Sequence, residues 1–182
     1  MQGTEGRVLV VSSSVSLASR SEKLADHVAD RLRQRGFGTA HLRLRTLPAV
    51  PLLAADTQDP AIAQAVADLE RAAGVVIVTP TYKGTFTGLL KVFVDLLPQY
   101  ALRGKTVLPL ATGGTLAHAL MLDHGLRPML QTMWPKHVAQ GCFMLDKQMV
   151  VDESGGLHIQ DDSLLTQVLD GFQDMLGPSL AA

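Results

Sequence analysis

Three polar stretches carry the residues able to do chemistry. The first is Ser12-Ser13-Ser14-Val15-Ser16-Leu17-Ala18-Ser19-Arg20-Ser21. It opens a helical pattern from Ser21 to Gln34. Free backbone N–H groups and the helix dipole favour an anion at such a point. Hydroxyls add donors and Arg20 adds charge. The stretch lacks the glycines of a Walker loop or a GxGxxG fingerprint. Its pattern fits a phosphate site and an ordinary serine-rich helix cap equally well. The second stretch is Thr79-Pro80-Thr81-Tyr82-Lys83-Gly84-Thr85-Phe86-Thr87-Gly88-Leu89-Leu90-Lys91. Pro80, Thr81, Tyr82 and Lys83 offer a flat face, hydroxyls and backbone donors suited to a planar heteroaromatic ligand. The third is Thr112-Gly113-Gly114-Thr115, where glycine lets the backbone approach a ligand closely. Each stretch also reads as a plain loop.

The elements around these stretches bring them together. Arg7–Val11 and Gly74–Val78 are, after their first residues, uncharged β-branched runs of the kind buried on both faces of a parallel sheet. Thr39–Leu44, Thr106–Ala111 and Val138–Leu145 read as the other strands. Helices are expected over 21–34, from Pro60 to Arg71, over 86–97, over 116–133 with interruptions near Gly125 and Pro128, and over 162–176. Ser19-Arg20-Ser21-Glu22 has the form of a capping box. Residues 46–59 read as a loop, and 148–159 as a hairpin turning at Ser154-Gly155-Gly156. The alternation argues an α/β fold, a five-stranded parallel sheet with helices on both faces. The expected organisation is one domain over residues 1–182. In such sheets ligands bind at the carboxyl ends of the strands, where all three polar loops must gather. One nucleotide-like ligand is the expectation.

Composition narrows the classes. With 47% hydrophobic residues the chain can fill a core; with 18% charged residues and a net charge of −1 it gives no support to nucleic-acid or electrostatic membrane binding. No apolar run reaches a membrane span, and Met1–Arg7 lacks a signal-peptide core, so a soluble cytoplasmic protein is expected. A single cysteine, Cys142, excludes an internal disulfide and reads as a buried small hydrophobe. The histidines show no metal spacing. Trp134 reads as packing at a helix end, and Arg103 as a solvated cation without a role. The apolar residues from Leu116 to Met133 are more than one face of a surface helix needs, so a homo-oligomer, dimer or tetramer, is expected.

The segments Ser14–Ser21, Thr79–Lys91 and Leu108–His118 resemble the NAD(P)H-dependent FMN reductases, most closely those serving sulfonate-degrading monooxygenases. That resemblance implies a flavodoxin-like fold, FMN as flavin, NADH or NADPH as co-substrate, and a flavin-dependent monooxygenase as partner. It implies that Ser14, Ser16, Ser19, Arg20 and Ser21 hold the FMN phosphate. Pro80, Thr81, Tyr82 and Lys83 would line the isoalloxazine, and Thr112, Gly113, Gly114 and His118 its pyrimidine edge. Where the family usually has Gly-Ser-Pro-Arg, this chain has Ser13-Ser14-Val15-Ser16, leaving Arg20 as the nearby cation. It further implies an inserted residue, His124 in Leu122-Asp123-His124-Gly125-Leu126, forming a π-bulge at an interface between subunits.

The implied reaction moves hydride from nicotinamide C4 to flavin N5. No side chain acts as acid or nucleophile; Tyr82 and Lys83 only position the partners. Two alternatives share the fold. One is a quinone or azo reductase that keeps its flavin. The other is a non-enzymatic flavodoxin-type electron carrier, which the near-neutral charge argues against.

Overall fold

A computed structural model describes residues 7–153 and 155–177. The N-terminal stretch before Arg7 and Ser154 of the expected turn lie outside these residues. Five strands line up in parallel: β2 (Gly38–Arg43), β1 (Arg7–Ser12), β3 (Gly74–Pro80), β4 (Thr106–Gly113) and β5 (His137–Val138). This order, 2-1-3-4-5, is the flavodoxin-like winding, with its switch point between β1 and β3. Every residue of β3 and β4 is buried, as their largely apolar sequences require.

Helices cover both faces. On one, α1 (Arg20–Gln34) and α6 (Ser163–Leu176) pack Leu24, Val28, Leu32, Leu165, Leu169 and Phe172 against Val8, Val10, Val76 and Leu108. On the other, α3 (Pro60–Arg71) and α4 (Gly88–Asp95) pack Ile62, Leu69, Leu90 and Phe93 against Leu9, Val75, Ile77 and Val107. Each of three helices is started by its own cap: Ser19 for α1, Asp59 followed by Pro60 for α3, and Thr87 for α4. No helix among the described residues is long and apolar enough to cross a membrane.

The structure corrects four readings. Residues 46–59 are not all loop, because Ala49–Leu53 form a short helix, α2, that buries Leu52. The long helix over 116–133 is three pieces: a 3₁₀ turn at Leu116–Leu120, a π turn at Leu122–Leu126, and α5 at Arg127–Gln131. Its Met121, Leu122, Leu130 and Met133 fill this chain's own core, leaving Leu116 and Leu120 exposed. The fifth strand is split into β5 and β6 (Cys142–Leu145), both paired with β4. Gly141 sits at the break. A Cβ there would lie 2.2 Å from the Pro109 carbonyl oxygen, so only glycine lets the backbones pass.

Trp134 packs at the end of α5, as its sequence context suggests, and leads to the fourth correction, at Arg103. Trp134 is 59% exposed, in a left-handed backbone conformation (φ 57°). Its ring lies 5.0 Å from that of Tyr100, and the Arg103 guanidinium sits 5.0 and 5.2 Å from the two ring centroids. Arg103 is therefore stacked rather than merely solvated. Burial pushes the Cys142 thiol up to about 12, an inert buried group. The hairpin forms between β7 (Met149–Val151) and β8 (Leu157–Ile159).

Candidate functional site

The carboxyl ends of β1, β3 and β4 surround an open cleft of about 220 Å³. Its wall contains Ser16, Ser19, Arg20, Ser21, Pro80, Thr81, Tyr82, Thr112, Gly113, Gly114 and His118. All three polar stretches thus contribute to one site. The Thr81 N–H donates to the Thr112 carbonyl at 2.8 Å, which locks the second stretch to the third. Thr87 does the same for the first: its hydroxyl donates to the Ser13 carbonyl at 2.9 Å while capping α4 through the Leu90 N–H at 3.1 Å.

At the anion end, Ser19 Oγ accepts from the Glu22 N–H and lies 2.7 Å from Ser21 Oγ. The Arg20 Nε donates to the Met149 carbonyl at 3.2 Å, so β7 steadies the guanidinium at the cleft wall. On the floor, Gly113 is boxed in: a Cβ would meet Phe143 Cζ at 2.8 Å and Thr81 Cβ at 3.5 Å. Thr81 Oγ1 and His118 Nδ1 are buried and find no hydrogen-bond partner among the described residues.

Three predicted residues lie outside this wall. Ser14 is buried and accepts from the Ser16 N–H at 3.1 Å, shaping the loop from behind. Lys83 sits exposed at a hairpin tip. Tyr82 and Thr85 are bridged there by backbone bonds of 2.9 and 3.2 Å, with Lys83 at φ 53° and Gly84 at φ 83°. Two successive positive φ values at the central positions are the signature of a type I′ turn. His124 is exposed on the π turn and lines a second cavity, of about 400 Å³, with Gly84, Thr85, Met121 and Gly125. His118 borders both cavities.

Ala18 and Asp146 line the cleft but were not anticipated. Asp146 follows β6, whose Leu145 pairs with Gly113. The end of the expected fifth strand at Leu145 marked a fourth loop at the same edge, and that was the available signal.

Beneath the anion end lies a charged network. Arg45 and Arg43 hold the Glu22 carboxylate, and Arg43 also pairs with Asp26. The His41 ring spans Asp26 Oδ1 and Ser12 Oγ, each at 2.8 Å. Hydrogen bonds from Arg45 keep the Glu22 carboxyl below its usual range against the opposing effect of burial. Burial keeps His41 below its usual value, although Asp26 pulls the other way.

Residues 7–150 match the family model for NADPH-dependent FMN reductases. An FMN reductase (NADPH) of Escherichia coli (strain K12) is 37% identical over 144 residues, covering 79% of this chain and 75% of that protein. The NADH-dependent FMN reductase SfnE of Pseudomonas putida is 34% identical over 145 residues, 78% of each. Among solved structures, the apo form of the NADH:FMN oxidoreductase EmoB superposes with a TM-score of 0.81 at 36% identity, covering 94% of this chain and 88% of that one. A match over this span, with the flavodoxin-like winding, identifies the chain as a member of the NADPH-dependent FMN reductase family, an oxidoreductase using FMN and NAD(P)H.

Proposed function

We propose that FMN binds in the cleft at the ends of β1, β3 and β4, and that the reduced flavin is passed on to a partner monooxygenase of sulfur metabolism. The observation that carries the first part is the gathering of all three stretches around one open polar cleft. The residues fit the group. Two buried polar atoms, Thr81 Oγ1 and His118 Nδ1, have no hydrogen-bond partner among the described residues, and Gly114 leaves open space where a side chain would stand, with only Asp146 Oδ2 within 4.0 Å of a Cβ there. Ser16, Ser19, Arg20 and Ser21 would take the phosphate at the start of α1. Pro80, Thr81 and Tyr82 would line the ring system, with Thr112, Gly113, Gly114 and His118 along its polar edge.

Bound FMN supplies the hydride acceptor for NAD(P)H. The chain's own part is orientation and electrostatics: backbone N–H groups at Gly113 and Gly114 would favour negative charge at the flavin edge. Lys83 and Tyr82, at and beside the turn tip, would position the nicotinamide. The hand-over to a monooxygenase is supported by the openness of the cleft and by the resemblance to reductases serving sulfonate-degrading enzymes. A homo-oligomer is supported by Leu116 and Leu120, 66% and 65% exposed, next to the π turn that carries His124.

Purification and steady-state oxidation test this reading together. A colourless protein that oxidises NADH or NADPH only with added FMN, and sustains a flavin-dependent monooxygenase, is expected. A yellow protein that reduces quinones or azo dyes without added flavin would overturn it.

A further inference from the structure

Glu22 lies at the third position of α1, where a capping box would fold its carboxylate back onto the backbone N–H of Ser19. Only half of that box forms. Ser19 Oγ accepts from the Glu22 N–H at 3.3 Å. The carboxylate points elsewhere: Arg45 donates Nε to Oε2 and Nη2 to Oε1, both at 2.6 Å, and Arg43 donates Nε to Oε1 at 3.0 Å. Both arginines come from the far end of β2 and the turn after it. The Glu22 side chain is only 9% exposed, so its charge is held inside the fold. Arg43 is itself fixed by Asp26, which also holds His41.

The consequence falls on the anion end of the cleft. Ser19, Arg20 and Ser21 line it, and the first N–H groups of a helix are its anion donors. A carboxylate returned to Ser19 would take one of those donors and set a negative charge beside any phosphate. Glu22 is therefore a built-in competitor, placed one residue beyond the cleft wall and turned away from it.

We infer that Arg43 and Arg45 are specificity-determining positioning residues: by clamping Glu22 they keep the start of α1 free for the flavin phosphate. This rests on the reading of the cleft as the FMN site. A clamp of purely structural value would affect every flavin alike, whereas this one discriminates by the phosphate.

The test compares FMN with riboflavin, which lacks the phosphate, by fluorescence titration of Arg45→Ala, Arg45→Lys and Arg45→Ala/Glu22→Ala proteins. Expected for Arg45→Ala is FMN binding weakened about tenfold, with riboflavin within about twofold of the parent. Arg45→Lys should fall between the two, since it keeps the charge but not the paired donors. The double variant should recover FMN binding, because the competing carboxylate is gone. Equal losses for both flavins, unchanged FMN binding in Arg45→Ala, or no recovery in the double variant would each overturn the inference. Should Arg45→Ala not fold, Arg45→Lys with and without Glu22→Ala decides on the same criteria. A parent protein that binds riboflavin as tightly as FMN would instead refute the phosphate site itself.

Discussion

At the cleft floor, a methyl group on residue 113 would have to displace the Phe143 ring, which stands 2.8 Å from where that carbon would be. Gly113→Ala is therefore expected to cost about 1–3 kcal/mol in stability and to weaken FMN, read by melting and by titration. Lys83 is the opposite case. It holds a left-handed conformation that glycine adopts freely, with its side chain in solvent. Lys83→Gly should keep or raise stability, by up to about 1 kcal/mol read by melting, while raising the KM for NAD(P)H or flavin. Unchanged kinetics would leave Lys83 as a turn residue only. The buried network has a pH signature. Glu22 titrates below its usual 4.5 because Arg45 hydrogen-bonds the ionised form, so its stabilisation is present above 4.5 and lost as pH falls through the folded value. His41 and His27 titrate below 6.5 because burial disfavours their charged forms. The unfolded chain then binds protons first, and stability drops as pH falls below 6.5. Melting temperature against pH should decline in two stages, and His41→Gln should shrink the upper one.

Among the elements, the central strands and their burial were legible because β3 and β4 are built almost wholly of apolar residues, which a surface segment could not carry. The three loops were legible for the same reason, since each ends such a run with polar residues. In the region after β4 the family resemblance pointed to a π-bulge at His124, and the π turn lies there, but apolar spacing did not show it. Apolar spacing from Leu116 to Met133 predicts one helix interrupted near Gly125 and Pro128, whereas three separate pieces form: Pro128 sits in the first turn of the last piece, α5, and the backbone upstream widens into a π turn. Spacing records which residues are buried and is blind to whether a turn holds one residue more. The split of the fifth strand was hidden likewise, because the clash that makes Gly141 obligatory involves Pro109, on a neighbouring strand and remote along the chain. Nor could the sequence show that the half-formed capping box at Ser19 sends its carboxylate to Arg43 and Arg45. The π turn yields a prediction at this scale. A Cβ on Gly125 would stand 3.1 Å from Thr85 Oγ1, so the turn rests against the Tyr82–Thr85 hairpin. Deleting His124 should restore α register and shift that contact. The variant is expected to hold FMN more tightly and supply a monooxygenase more slowly, with His124→Ala in between. A deletion variant that purifies colourless and transfers flavin at the parental rate would reduce His124 to a surface residue.

For the whole molecule, several of the exposed apolar side chains lie in the segments that border the site. Leu17 is 80% exposed in the serine stretch, Tyr82 42% at the hairpin, and Leu116 and Leu120 66% and 65% in the 3₁₀ turn. These segments flank the cleft and its neighbouring cavity, since Tyr82 lines the first and Leu120 the second. Exposed apolar groups gathered this way mark an interaction surface, and in soluble proteins a second copy of the same chain is the commonest cover. Covering them would also enclose the cavity lined by His124, and would tie subunit contact to access at the flavin cleft through the shared wall at His118. The expected outcome is a dimer or tetramer by sedimentation velocity. Leu116→Asp/Leu120→Asp should dissociate it without lowering the melting temperature of the subunit, because neither side chain belongs to the core. If assembly gates the cleft, the dissociated variant should also release flavin faster, with a higher KM for FMN. A parent protein that sediments as a monomer across a wide concentration range would rule out this assembly. An oligomer unaffected by the two aspartates would move the interface to another face, where the stacked Tyr100, Arg103 and Trp134 present a second exposed aromatic cluster.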